Sequence, residues 1–124
     1  MNDDIFESIV KKALFNLPAE FKDRLENVSV IIADIPTQDQ YKKIYLRGKT
    51  LLLGLYEGVP QTKRGNYGIG PTLPDKITIF KYPIIYLSQG DEKRIIELII
   101  DTVKHEIAHH FGMSDEDIRK AKKI

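Results

Sequence analysis

The chain has 124 residues, a net charge of +1 and no cysteine. The length predicts one domain over residues 1–124, large enough to bury a core, and the near-neutral charge predicts neither a nucleic-acid nor a membrane partner. Without cysteine, disulfides and thiolate metal sites are excluded. The acidic start resembles no signal peptide, and no apolar stretch reaches membrane-spanning length, so we expect a cytoplasmic protein.

Hydrophobic periodicity predicts helices first and then strands along the chain. Apolar residues at helical spacing predict a first helix over Asp3–Asn16, and Pro18 is placed to open a second, short helix. Downstream, the pattern predicts a strand over Val28–Ala33, a loop over Pro36–Lys43, a strand over Leu51–Tyr56, a Gly- and Pro-rich loop over Gln61–Asp75, a strand over Ile77–Phe80 and a short strand or extended lead-in over Ile84–Leu87.

One long helix is predicted over Asp91–Phe111. It is apolar over more than one face, and about 20 helical residues span about 30 Å, the width of a small domain. We therefore expect it to be the central packing element, covered by the sheet on one side and by the first helix on another. A last short helix is predicted over Asp115–Lys123.

The end of this long helix carries the sequence HEIAHHFGMSD, which begins at His105. His105 and His109 are four residues apart, so both imidazoles stand on one helix face and can reach one metal ion. Glu106 lies on an adjacent part of that turn, where it can hold a water molecule rather than the metal. Gly112 offers a left-handed residue that ends the helix. The pattern predicts a catalytic zinc site, in which three protein ligands leave a fourth position open.

Elimination leaves the acidic residues just after the motif as candidates for the third ligand, and Asp115 is the preferred one. His110 is rotated about 100° from the ligand face, and the residues after His109 are too few for a second long helix that could supply a glutamate. Glu116 and Asp117 remain as alternatives, with Glu116 the stronger. A simpler interpretation also stands, in which the two ligand histidines are buried core residues and Asp115 caps a short helix.

Two stretches of the chain resemble the small bacterial zincin-like metallopeptidases, which have a minimal matrix-metalloprotease-like fold. They are Leu53–Pro60 continuing through Leu73–Phe80, and His105–Gly112 with the acidic run that follows. The resemblance implies an α+β fold, with a small mixed β-sheet packed on a backing helix and a long active-site helix. It also implies a Zn²⁺ cofactor, with His105, His109 and Asp115 as ligands and Glu106 as the general base. One departure is that no Met-turn follows the motif.

The hypothesis from the sequence is therefore a zinc metallopeptidase that cleaves peptide or protein substrates with zinc-activated water. Asp101, one turn before His105, is predicted to accept the second ring N–H of that histidine. The substrate is predicted to pair in extended form with a sheet edge formed by Ile77, Thr78, Ile79 and Phe80, beside the 61–75 loop as a wall or lid. The alternatives are a metal-dependent endoribonuclease-type hydrolase and a metal-stabilised, non-catalytic binding module. The oligomeric state is not predicted.

Overall fold

A computed structural model describes residues 1–46, 52–58 and 75–112 of the chain. In these ranges the helices are α1 (Asp3–Phe15), α2 (Ala19–Arg24), α3 (Gln38–Leu46), α4 (Lys81–Ser88) and α5 (Glu92–Phe111), and the strands are β1 (Val28–Ala33), β2 (Gly54–Glu57) and β3 (Asp75–Phe80). Helices and strands are both present, with the strands in one sheet, so the predicted α+β class is confirmed.

The sheet is mixed, with the strand order β1–β3–β2 in the described chain. Strand β1 pairs parallel with β3 from Val28 opposite Asp75 to Ala33 opposite Phe80. Strand β2 pairs antiparallel with the other side of β3, with Gly54 opposite Ile79. This arrangement puts the short strand β2 at one edge of the sheet, and that edge contacts α5.

Helix α5 is central to the packing, as its apolar pattern predicts. It contacts α1, α4 and β2, and its residues Ile95, Ile99, Val103 and Ile107 are fully buried. Helix α1 supplies a matching stripe, because Phe6, Ile9, Val10 and Ala13 recur at helical spacing and are buried in the same core. The predicted backing by α1 is thus confirmed. Across the described residues, no helix combines the length and apolar character needed to cross a membrane.

Both ends of α5 are fixed by local chemistry. At the start, the Asp91 carboxylate accepts a hydrogen bond from the backbone N–H of Arg94 at 3.1 Å and caps the helix. At the end, Gly112 adopts the left-handed conformation with φ of 66° and donates its N–H to the Ala108 carbonyl. The predicted helix stop at Gly112 is confirmed, because glycine takes this conformation without steric cost.

Two predicted elements are wrong in type. The predicted loop over Pro36–Lys43 contains the start of α3, which begins with reciprocal hydrogen bonds between Thr37 and Gln40: each side chain accepts from the backbone N–H of the other residue. The predicted strand or extended lead-in over Ile84–Leu87 lies within α4. Pro83 lies in the first turn of that helix, where its missing N–H would have no partner in the helix anyway.

The predicted sheet edge over Ile77–Phe80 is also wrong. These residues lie in the central strand β3, which is paired with β1 on one side and with β2 on the other. All four are buried, because side chains on both faces of a central strand are covered. The strand ends at Phe80, and Pro83 lies beyond it in α4. In the described part of the sheet, the edge that lies against α5 is β2.

Candidate metal centre

The last two turns of α5 present the sequence motif in two different environments. His105 and His109 are exposed, one helical turn apart, whereas Glu106 is buried with 4% of its surface accessible. The alternative in which both histidines are buried core residues is therefore wrong. Both imidazoles are accessible from solvent, as ligands in an open metal site must be, and the buried carboxylate of Glu106 lies beside them.

The ring of His105 is oriented by the backbone of its own helix. Its Nδ1 lies 2.8 Å from the backbone carbonyl oxygen of Asp101. Because a carbonyl can only accept a hydrogen bond, Nδ1 carries the proton, and in the neutral ring Nε2 then holds the lone pair that can bind a metal. We expected the carboxylate of Asp101 to accept this hydrogen bond, but the main-chain oxygen of Asp101 makes the contact instead.

Glu106 is held by the edge strand. Its Oε1 accepts a hydrogen bond from the backbone N–H of Tyr56 at 2.9 Å, in a buried position. Leu53 accepts from the N–H of Phe80, and antiparallel ladders alternate, so the backbone groups of Gly54 and Tyr56 point away from β3. The outward N–H of Tyr56 therefore fixes the carboxylate of Glu106 against the sheet. The sequence alone gave no sign of this contact.

A pocket of about 170 Å³ opens between β2 and α5. Its walls include His105 and Glu106 on the helix and Gly54 on the strand, and the remaining lining residues are Leu52, Leu53, Asp101 and Thr102. The strand and the helix lie close together here: a Cβ added to Gly54 would be 2.7 Å from Cγ2 of Thr102. Gly54 therefore allows the strand to lie close to Thr102 on the helix beside the pocket, a role that the sequence did not predict.

The predicted third ligand, Asp115, and the alternatives Glu116 and Asp117 lie outside the described residues, as does the 61–75 loop apart from Asp75. Within the described ranges, no three His, Cys, Asp or Glu side chains are grouped so that they could hold a metal ion. The donors that are described do suit zinc: two imidazoles at helical spacing, one of them with its tautomer set by a carbonyl.

The fold and the histidine pair on a helix beside an edge strand are those of a zincin-type metallopeptidase. The sequence model of one family, the zincin-like metallopeptidases, matches residues 25–123. The chain belongs to this family, and the resemblance found in the sequence is confirmed. The match covers every element from β1 to α5. No curated protein matches the chain.

Proposed function

We propose that the protein is a zinc-dependent peptidase in which His105, His109 and Asp115 bind the metal and Glu106 is the general base. The observation that carries the proposal is that His105 and Glu106 line one pocket with the edge strand β2. Nε2 of His105 is available as a ligand atom, since Nδ1 is hydrogen-bonded to the Asp101 carbonyl. Membership in the zincin-like metallopeptidase family supports both the metal and the substrate class.

The chain's own residues supply the proton transfer. Zinc bound at this site would act as a Lewis acid that acidifies a water molecule and polarises the scissile carbonyl. The Glu106 carboxylate takes a proton from the attacking water as the water oxygen bonds to the carbonyl carbon, and it then gives that proton to the leaving amine. The hydrogen bond from the Tyr56 N–H holds the carboxylate in place for both transfers.

The substrate is proposed to bind as an extended peptide along β2. This replaces the edge that the sequence suggested, because β3 is paired on both sides. Gly54 lines the pocket, and its backbone N–H and C=O point away from β3, the direction from which a peptide adds to a sheet. The N–H of Tyr56 is bonded to Glu106, so peptide pairing would run from Gly54 towards Leu52.

The test combines elemental analysis with peptide digestion. We expect one zinc per chain, cleavage of an unstructured peptide library, and loss of cleavage with a chelator. Glu106→Gln should keep the zinc and lose cleavage, because an amide cannot accept the proton at neutral pH. Asp115→Ala should weaken zinc binding, whereas Asp23→Ala, a control carboxylate on α2, should not.

Specific results would contradict the proposal. A protein purified without chelating steps that holds no zinc and cleaves no peptide would contradict it. Chelator-sensitive cleavage of structured RNA but not of peptides would favour the endoribonuclease alternative. Zinc lost together with activity in Glu106→Gln would make Glu106 a ligand instead of a base, and unchanged zinc affinity in Asp115→Ala would remove Asp115 from the site.

A further inference from the structure

Two of the contacts that Tyr56 makes with α5 lie one helical turn apart. Its backbone N–H donates to Glu106, and its ring stacks on the imidazole of His110 with centroids 4.0 Å apart and an interplanar angle of 25°. Glu106 and His110 are separated by four residues, so they share one face of the helix. His105 and His109 share the neighbouring face. Tyr56 therefore contacts one face of the last turns of α5 and leaves the face with His105 and His109 accessible.

Asp75 joins the strands to this contact. The phenol of Tyr56 donates a hydrogen bond to Oδ2 of Asp75 at 2.7 Å, and Nε2 of His110 lies 3.8 Å from the same oxygen. The Asp75 side chain is mostly buried, with 15% of its surface accessible. Since Asp75 begins the central strand β3, one carboxylate connects β3, β2 and the end of α5.

The surroundings of the imidazole restrict it further. Phe111 packs edge-on against the rings of both Tyr56 and His110, with centroids 6.1 and 4.8 Å apart. The guanidinium of Arg24 on α2 lies 4.9 Å from the centre of the Phe111 ring. A Cβ at Gly58 would come within 3.2 Å of Cε1 of His110, so glycine there leaves room for the ring.

These contacts lie where a helix is least stable. The last turn of a helix has carbonyl groups without partners in the helix, and such ends fray. His109 lies in this turn, so its position relative to His105 depends on what holds the turn against the sheet. Ligand geometry must be kept to about half an ångström for a metal site to work well.

We infer that Tyr56, Asp75 and His110 form a clamp that positions the last turn of α5, and with it His109 and Glu106, against the edge of the sheet. The clamp gives a role to Asp75 and to the ring of Tyr56, which lie in the two stretches that carry the family resemblance. As an account of metal binding, the inference rests on the proposed function. As an account of helix order, it does not.

The test separates the ring stack from the polar contacts. His110→Ala removes both, His110→Phe keeps a ring against Tyr56, and Tyr56→Phe removes only the hydroxyl bonded to Asp75. Tyr86→Phe on α4, where the tyrosine is exposed, is the matched control. The measurements are Co²⁺ affinity by competition with a chromophoric chelator, thermal stability, and amide hydrogen exchange at residues 109–112 of the metal-free protein.

We expect His110→Ala to weaken Co²⁺ binding roughly tenfold or more, as loss of a residue that orients metal ligands does. Amide exchange in the last turn of His110→Ala should accelerate by at least the same factor. His110→Phe should keep most of the wild-type Co²⁺ affinity and most of the slow exchange, and Tyr56→Phe should lie between His110→Ala and the wild type in both measurements. Unchanged exchange in both His110→Ala and Tyr56→Phe would overturn the clamp. Equal loss of Co²⁺ in His110→Ala and His110→Phe would overturn it too, because His110 would then be a ligand. If the wild type binds no metal, the proposed function fails, but the exchange measurement still decides the clamp.

Discussion

Because β2 lies close to α5 at Gly54, we expect the substitution Gly54→Ala to lower the stability of the protein by an amount that can be estimated. The added methyl would lie 2.7 Å from Cγ2 of Thr102 and 3.1 Å from the carbonyl oxygen of Thr78. Gly54 has an ordinary backbone conformation, so the substitution introduces no backbone strain. Overpacking of this kind lowers the free energy of unfolding by about 1–3 kcal/mol, whereas replacing glycine within a strand raises it by up to about 1 kcal/mol. We expect a net loss of about 1–2 kcal/mol, or roughly 5–10 °C in Tm.

A second substitution identifies the contact that causes the loss. Thr102→Ser removes the methyl that would clash and keeps the hydroxyl, at a cost of about 0.5–1 kcal/mol for the lost methyl when made alone. In a double-mutant cycle, Gly54→Ala and Thr102→Ser should couple favourably by about 1 kcal/mol. The rescue should be partial, because the contact with the Thr78 carbonyl remains.

Thermal and urea unfolding of the four proteins in the cycle measure this coupling. Gly90→Ala is the matched control, because Gly90 has φ of 78° and no heavy atom within 4 Å of an added Cβ. It should lose about 1–2 kcal/mol from backbone strain, and Thr102→Ser should not relieve that loss. Strictly additive effects at Gly54 and Thr102 would refute the argument that their contact sets the spacing between the strand and the helix.

Three further predictions concern the carboxylates. Glu106→Leu should lose about 1–3 kcal/mol of stability, because the hydrogen bond from the buried Tyr56 N–H is removed. The free energy of unfolding of Glu106→Gln should be within about 1 kcal/mol of the wild-type value, because its side-chain oxygen can still accept that bond. Equal losses for the two variants in urea unfolding would argue against the Tyr56 contact. Asp101→Ala should change Co²⁺ affinity less than about threefold, since His105 contacts the main-chain oxygen, and a tenfold loss would restore the carboxylate as the partner. Burial raises the pKa of Glu57, but hydrogen bonds from Lys43 and Gln40 and the charges of Lys43 and Lys76 outweigh it and hold the pKa below 4.5. The wild type should therefore lose stability relative to Glu57→Gln as the pH falls from about 5 through the lowered pKa, and parallel acid-unfolding curves would contradict this.

Elements with a strong local signal were predictable from the sequence. The apolar periodicity located α1 and α5, and the β-branched run located β1, because helical spacing and β-branched composition can both be read from a short stretch of sequence. Helix α3 also had a local signal that was overlooked. The sequence Thr-Gln-Asp-Gln from Thr37 to Gln40 has the spacing of a capping box, and the two expected hydrogen bonds form.

The features that were missed depend on contacts between distant residues. Whether Ile77–Phe80 is a central or an edge strand depends on a parallel partner, β1, more than 40 residues earlier, and no local pattern encodes that pairing. A short apolar run such as Ile84–Leu87 suits a helix or a strand equally well, so tertiary context decides it. In the proposed site, spacing along one helix predicted roles for His105, Glu106 and His109. The contacts of Tyr56 with α5 and the approach of Gly54 to Thr102 bring together residues some 50 positions apart.

The proposed function requires that His105 and His109 bind a zinc ion while Glu106 acts beside it as a base. The decisive measurement is zinc content together with peptide cleavage on the wild type, His105→Ala and Glu106→Gln. We expect one zinc per chain in the wild type and in Glu106→Gln, little or none in His105→Ala, and cleavage only in the wild type. Full zinc content in His105→Ala, or full cleavage by Glu106→Gln, would contradict it.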